Sequence, residues 1–178
     1  LKVPSAWFTP EEIERRLEEE SNKLPDEKSE LEGGVTLTYK AIPTDPVEAL
    51  KQTGQLPPGS NPDAVAKQFA PMVRPYIEKY CGKVGKLKVE KEFKLKSAKV
   101  PPGEYTFGLI MDEMTPIAVA ISGGAHKTPV QVPIKPGKPP SAAIANLRLQ
   151  VKEGKTKEEF VVAVGFAKID GEAGKVTF

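Results

Sequence analysis

The sequence predicts a mainly β protein, an antiparallel β-sandwich of about eight strands with an N-terminal helical arm and one inserted, proline-kinked helix. Three observations lead there. Over residues 86–178 apolar side chains recur at every second position through one segment after another, the spacing that puts them on one face of a strand. Proline and glycine pairs such as Pro101-Pro102-Gly103 and Gly123-Gly124 interrupt these runs at short intervals, as hairpin connections do. Helical segments are confined to the first half of the chain, ahead of Gly85.

Taken in order, Thr9-Pro10-Glu11-Glu12 is a helix start. Thr9 serves as cap, Pro10 suits the first helical position, and Glu12 closes a capping box, with Phe8 and Ile13 placed for a hydrophobic staple. Only Ile13, Leu17 and Leu24 form its apolar side, so this helix is expected to rest as an arm on something larger. Residues 22–34 read as a polar linker. Val35, Leu37 and Tyr39 alternate with Thr36, Thr38 and Lys40, the first strand. A short helix is expected at 44–52, followed by a loop at Leu56-Pro57-Pro58-Gly59.

Asn61-Pro62-Asp63 opens the second helix, whose apolar face carries Val65, Phe69, Met72, Tyr76, Ile77 and Tyr80. Pro71 and Pro75 are expected to kink or split it, and Gly82 and Gly85 to end it. Leu87, Val89, Phe93 and Leu95 then share one parity, with Lys91 intruding as a bulge or a snorkelling stem. Tyr105, Phe107, Leu109 and Met111 form an inward set. Ile117, Val119 and Ile121 form the next, then Val130, Val132 and Ile134, then Leu147, Leu149 and Val151, then Phe160, Val162, Val164 and Phe166. Val176 and Phe178 supply the last strand. The pattern favours a sandwich, although it does not by itself separate one from a barrel. Residues 1–33 are thus expected to be the helical arm and linker, and 34–178 the sandwich domain with a helical insertion at about 44–82.

The formal net charge is +2, so no overall field points to nucleic acid or a membrane. Its distribution is uneven: residues 11–32 hold ten carboxylates against four basic side chains, whereas residues 79–99 hold eight lysines against two glutamates. These segments are expected to pair within one chain or between neighbouring copies. Lys86, Lys88, Lys94 and Lys96 lie on one strand parity, but Glu90 and Glu92 interrupt them and no exposed aromatics interleave. That pattern suits a solvated face rather than a nucleic-acid surface. No run approaches the roughly 20 apolar residues of a spanning helix, which leaves a place on a membrane complex compatible. Cys81 is the only cysteine, so neither an intrachain disulfide nor a cysteine-based zinc site can form. The chain opens on Leu1, and eighteen prolines with one cysteine suit an exported bacterial protein. A periplasmic or extracellular location with a removed signal peptide is the expectation.

The segment Lys99-Val100-Pro101-Pro102-Gly103-Glu104-Tyr105-Thr106-Phe107 reads as a strand, a short Pro-Gly turn, then tyrosine with alternating apolar residues. In this, the second half of the chain resembles an exported bacterial domain-of-unknown-function family, the twenty-nine-eleven type. Lys127-Thr128-Pro129-Val130-Gln131-Val132-Pro133 and residues 160–178 are compatible with it. The resemblance implies a β fold and an envelope location, and no activity.

No catalytic constellation stands out. His126, the only histidine, lies among Gly123-Gly124-Ala125 and Lys127-Thr128, where a general base or metal ligand is conceivable. No second histidine completes a transition-metal site, and no Gly-x-Ser-x-Gly elbow exists. The same glycine loop ends in Lys-Thr as a phosphate loop does, but its glycines are too close and a strand follows. The acid pairs Asp112–Glu113 and Glu158–Glu159 are sequence neighbours that point different ways. Trp7, the only tryptophan, stands with Phe8 just ahead of the acidic helix, and tryptophan anchors interfaces.

The sequence therefore leads to a protein that is not an enzyme and needs no cofactor or metal: an exported structural or accessory subunit of an envelope or extracellular assembly. Its arm would dock on a protein partner or a neighbouring copy through Trp7, Phe8, Ile13 and Leu17. The alternative is a carbohydrate- or peptide-binding module using loops at one end of the sandwich (111–116, 122–128 and 135–141), with His126, Lys127, Lys135 and Lys138 at the ligand. A hydrolase using His126 is the third reading.

Overall fold

The computed structural model describes residues 10–44, 59–124, 126–167 and 169–174, and the protein is mainly β. Helix α1 spans Pro10–Lys23 and α2 spans Pro62–Cys81. The strands are β1 (Asp26–Leu31), β2 (Val35–Lys40), β3 (Gly85–Val89), β4 (Phe93–Leu95), β5 (Ala98–Val100), β6 (Gly103–Asp112), β7 (Thr115–Gly123), β8 (His126–Pro136), β9 (Ile144–Glu153), β10 (Glu159–Ala167) and β11 (Ile169–Ala173).

Eleven strands, rather than about eight, form one mixed sheet in the order β1-β2-β3-β6-β7-β8-β11-β10-β4-β5, with β9 on the other side of β10. Long β8 carries the sheet round a corner. Its first part pairs with β7 (Val132↔Val119) and its last with β11 (Ile134↔Ala173). The far side comes back to meet the beginning. The Leu147 N–H donates to the Ile42 carbonyl at 2.8 Å, and the Thr44 N–H donates to the Ala145 carbonyl at 3.0 Å. Thr44, the buried polar residue there, completes the seam. Its hydroxyl donates to the Ile144 carbonyl and accepts the Ala167 N–H, whose strand bulges at that point. Ser29 Oγ on β1 accepts the Val151 N–H at 3.0 Å, so the first hairpin also leans on β9.

Period-two patterning is what fills the interior. Leu37, Leu87, Val89, Phe93, Leu95, Phe107, Leu109, Val119, Ile121, Leu147, Leu149, Val151, Phe160, Val162, Val164 and Phe166 are all buried in one core. The expected inward set fails at Ile117, which is 46% exposed while Pro116 and Ala118 are buried. The register shifts between Ile110 and Met111, so Ile117 has no opposite partner and the parity of β7 flips there. Lys91 marks a second departure. Residues 90–92 leave the strand as a bend, so the predicted single strand is β3 and β4 in different parts of the sheet. The Lys91 ammonium lies over the Phe93 ring, 5.2 Å from its centroid.

The expected linker at 22–34 contains strand β1. It alternates charged residues with Ser29 and Leu31, and its charges suit an edge that must not recruit another chain. Gly33 and Gly34, with φ of 108° and 111°, make the turn into β2, a conformation side-chain-bearing residues avoid. The short helix expected at 44–52, apart from Thr44, and the strand at Val176 and Phe178 lie outside the described residues, whereas β11 is absent from the sequence reading.

Helix α2 begins where the sequence places it, with the Asn61 side chain accepting the Asp63 and Ala64 N–H groups and Pro62 following the cap. It then runs through Pro71 and Pro75 without splitting. Gly85 belongs to β3. The C-terminal turn of α2 lies against the outer side of β6, burying Ile77 and Cys81. Burial pushes the Cys81 thiol up to about 12, which keeps it protonated at neutral pH.

Glu78 ties the helix to the β6–β7 turn. That turn has two central residues, Glu113 and Met114, both at positive φ (48° and 60°), as a type I′ hairpin requires. Neither is the asparagine or glycine such turns prefer. The Met114 N–H donates to Glu78 Oε1 at 2.9 Å, and Arg74 Nε donates to the same oxygen at 3.1 Å. The backbone bond and then Arg74 hold the Glu78 carboxyl below its ordinary value. A depressed native value contributes stability that is fully present above the ordinary carboxylate range and lost as pH falls through the lowered one. Glu78→Gln is therefore expected to lower stability by about 1 kcal/mol at neutral pH and by progressively less below about pH 4.5. Urea unfolding of both forms across pH checks this; a gap independent of pH would contradict it.

Candidate functional site

The residues singled out for partner docking divide at once. Trp7 and Phe8 lie outside the described residues. Ile13 and Leu17 sit on α1, and their side chains are likewise outside the description. What is visible of α1 is its charge. Glu12 accepts hydrogen bonds from Arg15 at 2.7 Å and from Arg16 at 2.8 Å, which holds its carboxyl down at about 2. Arg15 also pairs with Glu19, and Lys23 with Glu20 at 2.6 Å. These are pairs one helical turn apart, stabilising the helix locally and individually weak because they are solvated. The ion pair Glu14–Lys79 reaches across to α2. Among the described side chains of α1 none is buried. Between the two helices lies a cleft of about 430 Å³ lined by Glu14, Glu18, Tyr76, Lys79, Tyr80 and Lys83.

The four predicted ligand-loop residues are not brought together. His126 and Lys127 begin β8, whereas Lys135 is near its end and Lys138 in the connection after it. At about 3.3 Å per residue the strand separates the two pairs by about 30 Å. The loops at 111–116 and 135–141 lie at one end of the β6-β7-β8 meander and that at 122–128 at the other, because successive strands run antiparallel. His126 is half-buried, and its ring packs on Tyr105 with centroids 5.6 Å apart. The Tyr105 hydroxyl donates to the Pro101 carbonyl at 2.6 Å. Lys127 is exposed.

Lys135 and Lys138 instead meet residues the sequence did not single out. β8 ends in Pro136-Gly137, and Lys138-Pro139-Pro140 continue as a connection whose prolines restrict φ. Across the outer face, Lys135 on β8 stands opposite Glu172 on β11, Glu172 opposite Ala163 on β10, and Ala163 opposite Gln150 on β9. Ala163 contributes only a methyl group, so the centre of this face is low and the longer side chains on either flank form walls. The result is a cleft of about 500 Å³ lined by Lys135, Lys138, Lys152, Ala163, Gly171 and Glu172. Lys152 Nζ is 3.4 Å from Glu172 Oε1. Lys135 and Lys138 are exposed and have no ion-pair partner among the described residues. Three lysines facing one carboxylate leave the cleft with a formal charge of +2.

No protein-family model, curated protein or solved structure matches the chain. Its chemistry has to be read from its own side chains. Among the described residues no three His, Cys, Asp or Glu side chains cluster in a way that could hold a metal ion. No helix among them is long and apolar enough to cross a membrane. The contributions of Lys152, Ala163 and Glu172 follow from strand order. A pattern reading that omits β11 has no means of placing Glu172 beside Lys135.

Proposed function

We propose that this protein is a non-catalytic accessory subunit of an exported bacterial assembly, periplasmic or extracellular, which meets a protein partner or a neighbouring copy through its N-terminal arm. The body carrying the arm is read as a β-sandwich, with the two halves of the rolled sheet facing one another across the core. Export rests on the composition and on the resemblance carried by residues 99–107. The single observation that supports the docking role is that every described side chain of α1 is at least partly exposed. Within the helix Glu12, Glu19 and Glu20 pair with Arg15, Arg16 and Lys23, and its described ion pair with α2 is the solvated Glu14–Lys79. No described α1 side chain belongs to the core; Leu24, just beyond the helix, packs against it. Solvated ion pairs contribute little to stability, so the body is expected to stay folded when the arm is removed.

Removal of residues 1–23 is expected to leave the urea midpoint within about 1 kcal/mol of the full chain while abolishing association in the native source. Co-purification and mass measured on both forms test it. An assembly of unchanged size without the arm overturns the docking role.

A second reading, the ligand-binding module, is favoured by one observation, the cation-lined cleft beside β11.

A further inference from the structure

We infer that the cleft formed by Lys135, Lys138 and Lys152 binds a sugar-sized group bearing a phosphate or sulfate. This inference deepens the ligand-module reading and is independent of the arm.

The argument begins with charge. Glu172 is the single carboxylate in the cleft and is engaged by Lys152, while Lys135 and Lys138 project without an ion-pair partner among the described residues. Like charges gathered over a low floor repel one another, and an anion placed among them relieves that repulsion. The lysines approach from three directions: β8, the connection after it, and β9. Strands lie about 4.8 Å apart and residues about 3.3 Å along a strand, so Lys135 and Lys152, three strands across and two residues along, are rooted about 16 Å apart. Flexible four-carbon stems rooted at that separation converge on a group of sugar size rather than on a bare ion.

Shape agrees with charge. The floor is Ala163 and Gly171, and a Cβ at Gly171 would stand 2.7 Å from the Lys135 carbonyl oxygen, so the strands here are tightly joined. The proline-rich connection bearing Lys138 is restricted before any ligand arrives, which reduces the ordering cost of binding. A volume of about 500 Å³ exceeds what a lone oxyanion fills and lies in the range of small-ligand clefts. Lysine ammonium groups recognise phosphate and sulfate as point charges. Both oxyanions share that chemistry.

The test is an amide-resolved NMR titration of the full chain with glucose 6-phosphate, glucose 6-sulfate and glucose. Shifts confined to residues around 135–138, 152, 163 and 171–172 are expected with one or both charged sugars, at a Kd of about 1 mM, and none with glucose. The relative affinities of the two charged sugars identify the preferred oxyanion. Raising ionic strength from about 0.01 to about 0.15 M shortens the screening length from about 30 to about 8 Å and should weaken binding several-fold. The Lys135→Gln, Lys138→Gln, Lys152→Gln triple variant should lose binding at least tenfold. Its three positions are exposed, and an unchanged melting temperature shows that it folds; the single Lys138→Gln variant serves if it does not. Equal shifts with glucose overturn the charge argument while leaving a ligand module standing. Shifts scattered over Lys86, Lys88, Lys94 and Lys99, or binding that survives the triple variant, overturn the site.

Discussion

Placing a side chain at position 108 is expected to cost the fold about 3 kcal/mol and to lift the end of α2 off the sheet. Gly108 lies on the outer side of β6, between the inward-facing Phe107 and Leu109, directly beneath the last residues of the helix. A Cβ there would overlap the Gly82 carbonyl and come within 3.1 Å of the Gly82 Cα. Both are backbone atoms, so no rotamer change relieves the overlap. Either β6 bends, at the expense of its pairing with β3 and β7, or the helix terminus moves away. The second course exposes Ile77 and Cys81 and strains the Glu78 link to the Met114 N–H. Gly108→Val should therefore lower the urea midpoint and make Cys81 react with a thiol reagent under native conditions, where the parent thiol is buried and protonated. A parent-like midpoint with an unreactive thiol would show that the helix does not rest on Gly108.

Truncating Phe160 is the second large effect, with an expected loss of about 3–5 kcal/mol for Phe160→Ala. Phe160 is fully buried at the point where β10 is flanked by both β9 and β4 (Phe160↔Glu153 and Phe160↔Leu95). Its ring meets Phe93 edge to face, with centroids 6.2 Å apart. The pair fastens the short β4–β5 hairpin to the rest of the sheet, since β4 reaches β10 through only the two registers Glu159↔Lys94 and Phe160↔Leu95. Alanine would remove the aromatic contact and leave a cavity that well-packed neighbours cannot fill. Phe93→Ala should cost a comparable amount, and a double-mutant cycle between them should show coupling of about 1 kcal/mol. A loss below about 1 kcal/mol for Phe160→Ala would mean that this part of the core is not closely packed.

What could be read beforehand, and what could not, follows from how far each signal reaches along the chain. Tyr105, Phe107, Leu147 and Val164 declared themselves as core because alternation along a strand depends only on neighbours two residues away. Asn61-Pro62-Asp63 declared a helix start for the same reason: a cap bonds to amides two and three residues on. Strand β1 was missed because its outward residues are charged and its inward ones include Ser29, so it lacks an apolar alternation. Ile117 was misplaced because a one-residue bulge reverses facing without altering composition. The β6–β7 turn was located, but its type I′ geometry at Glu113 and Met114 is held by Glu78, 36 residues away in the sequence.

The candidate site divides in the same way. Lys135 and Lys138 were legible as cations on a proline-stiffened connection, whereas their association with His126 and Lys127 was not sound, because β8 lies between them. Lys152 and Glu172 joined the site only through the order in which β8, β11, β10 and β9 stand side by side.

By itself the sequence determined that the chain is mainly β, which side chains fill most of its interior, and that its charge is divided between an acidic stretch at 11–32 and a basic one at 79–99. These properties are local, written in spacing and composition. Tertiary structure alone decided that the sheet returns upon itself at Thr44, that α2 rests on Gly108, and that three lysines from separate segments share one cleft. Those depend on strand pairing between residues far apart in the chain, where the free energy comes from contacts that neither segment contains on its own.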